Sequence, residues 1–249
     1  MKLESQATIL DFNPYTERTE AGPSHSLGEL VELADQRKFR YGKAGEAITR
    51  GYLAVAPTPN TALHTLAVLT GAKDSKVITF TNAATTTIDT AAECAYYDEG
   101  YVCVSYATGK GQTLKIRGLE PTASGAAGTI NLFDPINVAL DTTSKIDIIK
   151  NNYNGVIMDV LVTNTPVGVS LSGLTAAGDY GWLQTRGICA LESDATIDAA
   201  HYAVADGDDP GKIEGMSETI ATTVAQYPVA KTIVKAADTY AHAVFLVIE

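Results

Sequence analysis

Long apolar runs are missing from this chain: nothing approaches the roughly 18–20 consecutive apolar residues of a membrane-spanning helix, so no membrane partner is expected. The opening MKLESQATILDFNPYTERTE carries acids and has no apolar segment of signal-peptide type, which predicts synthesis in a cytosol. Basic side chains are also few. Eighteen Lys and Arg stand against 29 Asp and Glu, for a formal net charge of −11 over 249 residues. Nucleic-acid binding is largely counterion release by Lys and Arg, so no nucleic-acid partner is expected either. The densest basic cluster, Arg37, Lys38 and Arg40 around Phe39, reads as a solvated hairpin.

Chemistry-bearing patterns are equally sparse. The three cysteines, Cys94, Cys103 and Cys189, lie far apart without a CxxC and read as free thiols. Cys103, inside the apolar run YVCVSY, is expected in the core. His25, His64, His201 and His242 are scattered without HxH or HExxH spacing, so a zinc ion has no local ligand set. No GxSxG elbow occurs, and no two acids stand out as a glycosidase pair. GKGQT at 109–113 places Lys110 before the second Gly and runs into a strand, unlike a phosphate loop, which runs into a helix. Asp206, Asp208, Asp209 and Glu214 in DGDDPGKIE offer oxygens to a hard cation, but Gly207 and Pro210 break the EF-hand order, leaving an acidic turn as the reading. The expectation is a protein without enzymatic activity, cofactor or metal.

What is abundant is Thr, Val, Ile, Ala and Gly in short runs separated by turn residues, while helical periodicity is weak. Val77, Thr79 and Thr81 alternate with Ile78 and Phe80. YVCVSY, ATGKGQ and TLKIRG form a strand, a Gly-rich turn and a strand. SKIDIIK, NNYNG and VIMDVLVT suggest another strand pair. SHSLGELVELADQRKFRYGKAG carries both a capping-box pattern, Ser26 with Glu29, and strand-type KFRY; the hairpin reading is preferred. The terminal YAHAVFLVIE reads as a closing strand with His242 on its solvent face. In YGWLQTRGICALES, period-2 alternation buries Leu183, Cys189 and Leu191 and turns Trp182, Gln184 and Arg186 to the opposite face, where an outward Trp beside an Arg suits an interface; packing of Trp182 beneath a loop is the competing reading. EAITRGYLAVAP at 46–57 echoes ATIDAAHYAVAD at 195–206, pairing Ile48 with Ile197, Ala54 with Ala203 and Val55 with Val204.

RKFRYGKAGEAITRGYLAVAP, GDYGWLQTRGICALES, YAVAD and VAKTIVKAADTYAHAVFLVIE together resemble the head decoration, or capsid cement, proteins and related virion structural proteins of tailed bacteriophages. The matching elements are Arg40, Tyr41, Lys43, Ala44 and Gly45, then Trp182, Gln184, Arg186 and Gly187. The likeness covers both ends and thins between about Thr61 and Thr175. The expected fold is all-β: a β-sandwich or small β-barrel (β-tulip-like) core with an extended N-terminal arm and an inserted β subdomain. Residues 1–25 form the arm, 26–60 with 176–249 the core, and 61–175 the central subdomain. The resemblance implies a homo-oligomer, often a trimer, that binds the major capsid protein on the capsid exterior. Its implied contacts are Ile9, Leu10, Phe12 and Tyr15 in the arm, with Trp182 and Arg186. Alternatives are a tail or fibre-base protein, or a carbohydrate-binding sandwich with Tyr96, Tyr97, Tyr101 and Tyr106 as its platform.

Overall fold

A computed structural model describes residues 12–15, 23–83, 88–159, 164–216, 228–235 and 240–249. Ile9 and Leu10 lie outside these residues. The chain is all-β. It begins with β1 (Leu30–Glu32), β2 (Lys38–Ala44) and β3 (Leu53–Val55). A contiguous stretch then supplies β4 (Leu66–Thr70), β5 (Val77–Thr81), the one-turn helix α1 (Ala91–Cys94), β6 (Tyr101–Tyr106), β7 (Thr113–Leu119), β8 (Ala127–Leu132) and β9 (Lys145–Ile149). The last part supplies β10 (Asn154–Val156), β11 (Pro166–Ser170), β12 (Tyr180–Glu192), β13 (Tyr202–Ala205), β14 (Ile213–Gly215), β15 (Ala230–Thr232) and β16 (Ala241–Val247).

The middle strands close into a barrel in the order β4-β5-β8-β7-β6-β9. Alternation explains its interior. Ile78 and Phe80 point in from β5, Val102 and Val104 from β6, Leu114 and Ile116 from β7, and Ile130 and Leu132 from β8, all buried in one cluster. Gly128 sits against Phe80, where an added Cβ would lie 2.6 Å from two carbons of that ring. Cys103 departs from expectation: Val102 and Val104 take the inward positions, so Cys103 faces outward and is only half-buried.

The remaining strands form a sheet ordered β1-β2-β12-β16-β15-β13-β14, with β10 joining β2 in parallel and β11 bridging β12 to β3. The region after Ser26 is the β1–β2 hairpin; Glu29 does accept the Ser26 N–H, at 3.2 Å, but in a turn and not a helix. Among the described residues, SKIDIIK and the following segment do not pair with each other. The first, β9, closes the barrel against β6 and β4, while β10 leaves to join β2. β10 and β11 therefore belong to the sheet although they precede residue 176. Two clusters cover opposite faces of the first half of β12: Trp182 belongs to one, with Phe39, Tyr41 and Val244, and its neighbour Leu183 to the other, with Ile48, Val156 and Val167.

Barrel and sheet meet through two asparagines. Asn151 Nδ2 donates to the carbonyls of Leu27 at 3.2 Å and Glu99 at 3.1 Å, and its Oδ1 accepts from Tyr153 N at 2.9 Å. Asn154 Nδ2 donates to Ala95 O at 3.0 Å. Both asparagines are buried, so every such bond replaces water that cannot enter.

The internal echo has a structural counterpart. Ile48 and Ile197 are each 2 % exposed and each open a turn leading to a short strand, β3 or β13, five residues on. The turn residue at the equivalent position has positive φ in both, +78° at Gly51 and +66° at Ala200.

Candidate interaction surface

β12 runs through the middle of the sheet, and its register decides what the protein shows to solvent. Its pairing with β2 shifts between Gln184 and Arg186. A one-residue slip exchanges the two faces of a strand. Tyr180 and Trp182 therefore face the same cluster as Cys189 and Leu191, although their positions differ in parity. Gln184 Nε2 spans the bulge, donating to the carbonyls of Arg186 and Ile188, each at 2.9 Å. Gly187, φ +90°, supplies a backbone that other residues adopt with strain.

The bulge corrects two sequence-derived expectations. Trp182 is not an outward contact residue: it is 3 % exposed. Its ring lies 5.1 Å from Tyr41, 5.2 Å from His25 and 5.1 Å from Phe12. Phe12 also lies 5.0 Å from Phe39, so it lids this chain's own aromatic cluster. Of the arm's expected contact residues that are described, Phe12 and Tyr15, Tyr15 is the exposed one, at 58 %. Gln184 is buried as well, because both faces of this half of β12 are covered. Arg186 is half-buried, and its Nη1 donates to the Glu249 carbonyl at 3.2 Å. The Glu249 carboxylate in turn receives Arg40 Nε at 2.9 Å and the Thr185 hydroxyl at 3.3 Å.

Beyond the bulge the uncovered face of the sheet carries a row of side chains in cross-strand register. Ile188 on β12 pairs with Phe245 on β16, Phe245 with Lys231 on β15, and Lys231 with Tyr202 on β13. Ile188 is 61 % exposed, Tyr202 50 % and Phe245 39 %. Lys231 Nζ lies 5.8 Å from the Tyr202 ring centre, a cation–π distance that leaves the ammonium at the surface. Val247, beside Arg186, extends the row. Apolar and aromatic side chains aligned on one exposed face are what an adhesive contact requires. Sequence reading missed this row because, His242 apart, both sets of alternating residues in AHAVFLV are apolar. His242 falls on the inward parity with Val244 and Leu246 and is half-buried, which corrects its expected solvent-facing position.

Elsewhere the candidate chemistry resolves into structure. Asp206 Oδ1 accepts the N–H groups of Asp208 at 2.7 Å and Asp209 at 2.8 Å, making a self-bonded turn. Lys212 Nζ sits among its acids, 3.0 Å from Asp209 and 3.3 Å from Asp194. The hydrogen bond shared by Asp209 and Asp194 raises the Asp194 carboxyl above its ordinary range and lowers Asp209. Among the described residues no group of three His, Cys, Asp or Glu side chains is placed to hold a metal ion. Of the tyrosine platform, Tyr97 is buried, whereas Tyr101 and Tyr106 point outward from β6, with Tyr106 63 % exposed. Cys94 and Cys189 are buried, which pushes their thiols up to about 11 and about 12. Both are thiols, not thiolates, at neutral pH.

Comparison with known proteins finds no matching family, no matching curated sequence and no matching solved structure.

Proposed function

We propose that this chain is a structural virion protein that binds the exterior of a tailed-phage capsid and stabilises contacts between major capsid subunits. The observation that carries the reading is the solvent-facing row Ile188–Phe245–Lys231–Tyr202, held in register by four strands. A rigid sheet presents such side chains at little entropic cost on binding. The family resemblance supplies the partner, and the acidic balance supports an exterior position away from packaged DNA. In this reading the protein works by adhesion and makes or breaks no bond. Many copies on a symmetric shell stabilise it by mass action, because they bind the assembled state in preference to free subunits. Self-association into a trimer belongs to the same proposal.

Removing residues 1–25 is a poor test, since it also strips Phe12 from Trp182 and Phe39. Surface charge reversal is cleaner. The wild-type chain should sediment with mature cognate shells, and Ile188→Glu/Phe245→Glu, checked for an unchanged circular dichroism spectrum, should stay in the supernatant. Wild-type protein that never sediments with the shells would end the capsid reading. A double variant that sediments normally would take the contact off this face.

A further inference from the structure

A second feature lies where the barrel meets the segment that leads into it. Lys150 follows β9, and its Nζ sits over two tyrosine rings, 5.5 Å from the centre of Tyr96 and 5.9 Å from that of Tyr97. It lines a cavity of about 40 Å³ shared with Pro57, Pro59, Asn60, His64 and Asn152. Among the described residues no acidic side chain lines that cavity. Among the described residues, the His64 ring and the Asn152 side chain make no hydrogen bond to another residue. Asn60 is occupied: its Oδ1 accepts from Ala62 N at 3.1 Å. The side chains of Lys150, His64 and Asn152 therefore line one small space with no carboxylate among them to pair with the ammonium. Burial alone pulls the Lys150 ammonium below the usual lysine range, which is the signature of a cation without its counter-charge.

We propose that the Lys150 cavity is a binding site for one carboxylate group. Lys150 supplies the charge, and Asn152 and His64 supply N–H donors. Half-burial of Lys150 beside buried Tyr97 weakens the screening of such a pair by water. A space of this volume accommodates about three waters, which is enough for a carboxylate. The site is separate from the outward row on β12–β16–β15–β13 and does not depend on the capsid reading.

The test follows side-chain resonances of the full-length, ¹⁵N-labelled chain during titration with sodium formate at constant ionic strength. Lys150, assigned through Lys150→Arg, should shift along a saturating curve with a dissociation constant between about 1 and 100 mM, the range expected of two or three charge-assisted hydrogen bonds. Lys235, an exposed residue 3.0 Å from Asp198, serves as the unresponsive control. Lys150→Met should abolish the accompanying shift at His64, and Asn152→Ala, on the surface, should weaken binding about threefold to tenfold. A capped tripeptide with a central glutamate separates the sources: tighter binding than formate assigns the cavity to a partner's acidic side chain, weaker binding to a free small acid. A linear, non-saturating response at Lys150, a response equal to that of Lys235, or a His64 shift that survives Lys150→Met overturns the proposal.

Discussion

The barrel and the sheet are made of the same residue types, but they are assembled differently. In the barrel every pairing falls within one contiguous stretch, and half of them join sequence neighbours: β4 with β5, β6 with β7, β7 with β8. In the sheet, β12 lies between β2, from the first part of the chain, and β16, from the last. Local pairing closes short loops and costs little chain entropy, whereas the sheet must wait for distant segments to meet. The barrel interior is one cluster, while the sheet needs two, one on each face of β12. The barrel is thus the self-sufficient unit, and the sheet the one whose register must be specified by special devices.

The largest expected effect tests that self-sufficiency. Phe80 is fully buried at the centre of the barrel, against Gly128. Phe80→Ala should cost about 3–5 kcal/mol, because it removes the ring and leaves a cavity that rigid strands cannot collapse. Denaturant unfolding measures the loss. If the two units are energetically distinct, hydrogen exchange should accelerate at β5 and β8 far more than at β12 and β16. Equal acceleration in both would show a single cooperative unit.

Next in size is the junction. Asn151→Ala leaves the Leu27 and Glu99 carbonyls without the amide that now satisfies them. The expected loss is about 1–3 kcal/mol, with a broader unfolding transition as the barrel and sheet uncouple. A transition that stays as sharp as wild type would mean that the Asn154 contact with the Ala95 carbonyl is enough to couple the units.

How far each unit could be read from its residues follows the same division. In the barrel, SKVITFT and the YVCVSY–TLKIRG hairpin show their strands and, for β5, the inward set Ile78 and Phe80. In the sheet, the existence of β12 and β16 was legible, but the facing of Trp182 was not. A bulge leaves no mark in a period-2 pattern, and Gly187 is only visible as its consequence once the register is known. The outward row was hidden for a related reason. Phe245 and Leu246 are both apolar, and only pairing decides which meets solvent. Cys103 was misplaced because YVCVSY reads as apolar on both faces, although its position between two inward valines gives the outward parity directly.

The thiols sharpen the comparison, since each core holds one: Cys94 in the barrel cluster and Cys189 in the sheet. Unfolded, both ionise near 9.0; folded, burial holds Cys94 protonated to about 11 and Cys189 to about 12. Below pH 9 both states keep the proton and stability is unaffected by these groups. From there upward the unfolded chain binds fewer protons than the native one, so stability falls with rising pH until the folded thiols ionise at about 11 and about 12. Cys94→Ala/Cys189→Ala should flatten this alkaline slope in urea titrations between pH 8.5 and roughly 10.5. At pH 8 a thiol reagent should modify half-buried Cys103 first. Phe80→Ala should then speed labelling of Cys94 more than that of Cys189.

The smallest effect compares two turns of one design. Gly51 and Ala200 hold the same left-handed position before β3 and β13, φ +78° and +66°. An L-residue there costs about 1–2 kcal/mol in backbone sterics, partly offset because glycine loses more freedom on folding. Ala200→Gly should therefore stabilise the chain by about 0.5–1 kcal/mol. Gly51→Ala should destabilise it by a similar amount, since its new Cβ would meet Ala190 O at 3.7 Å and Ala241 Cβ at 3.9 Å, ordinary contact distances, leaving backbone strain as the sole cost. Opposite signs of similar size in thermal melts are the expected result. Destabilisation by both variants would mean that the Ala200 methyl contributes packing that outweighs its strained φ, and that the two turns are alike in path but not in energetics.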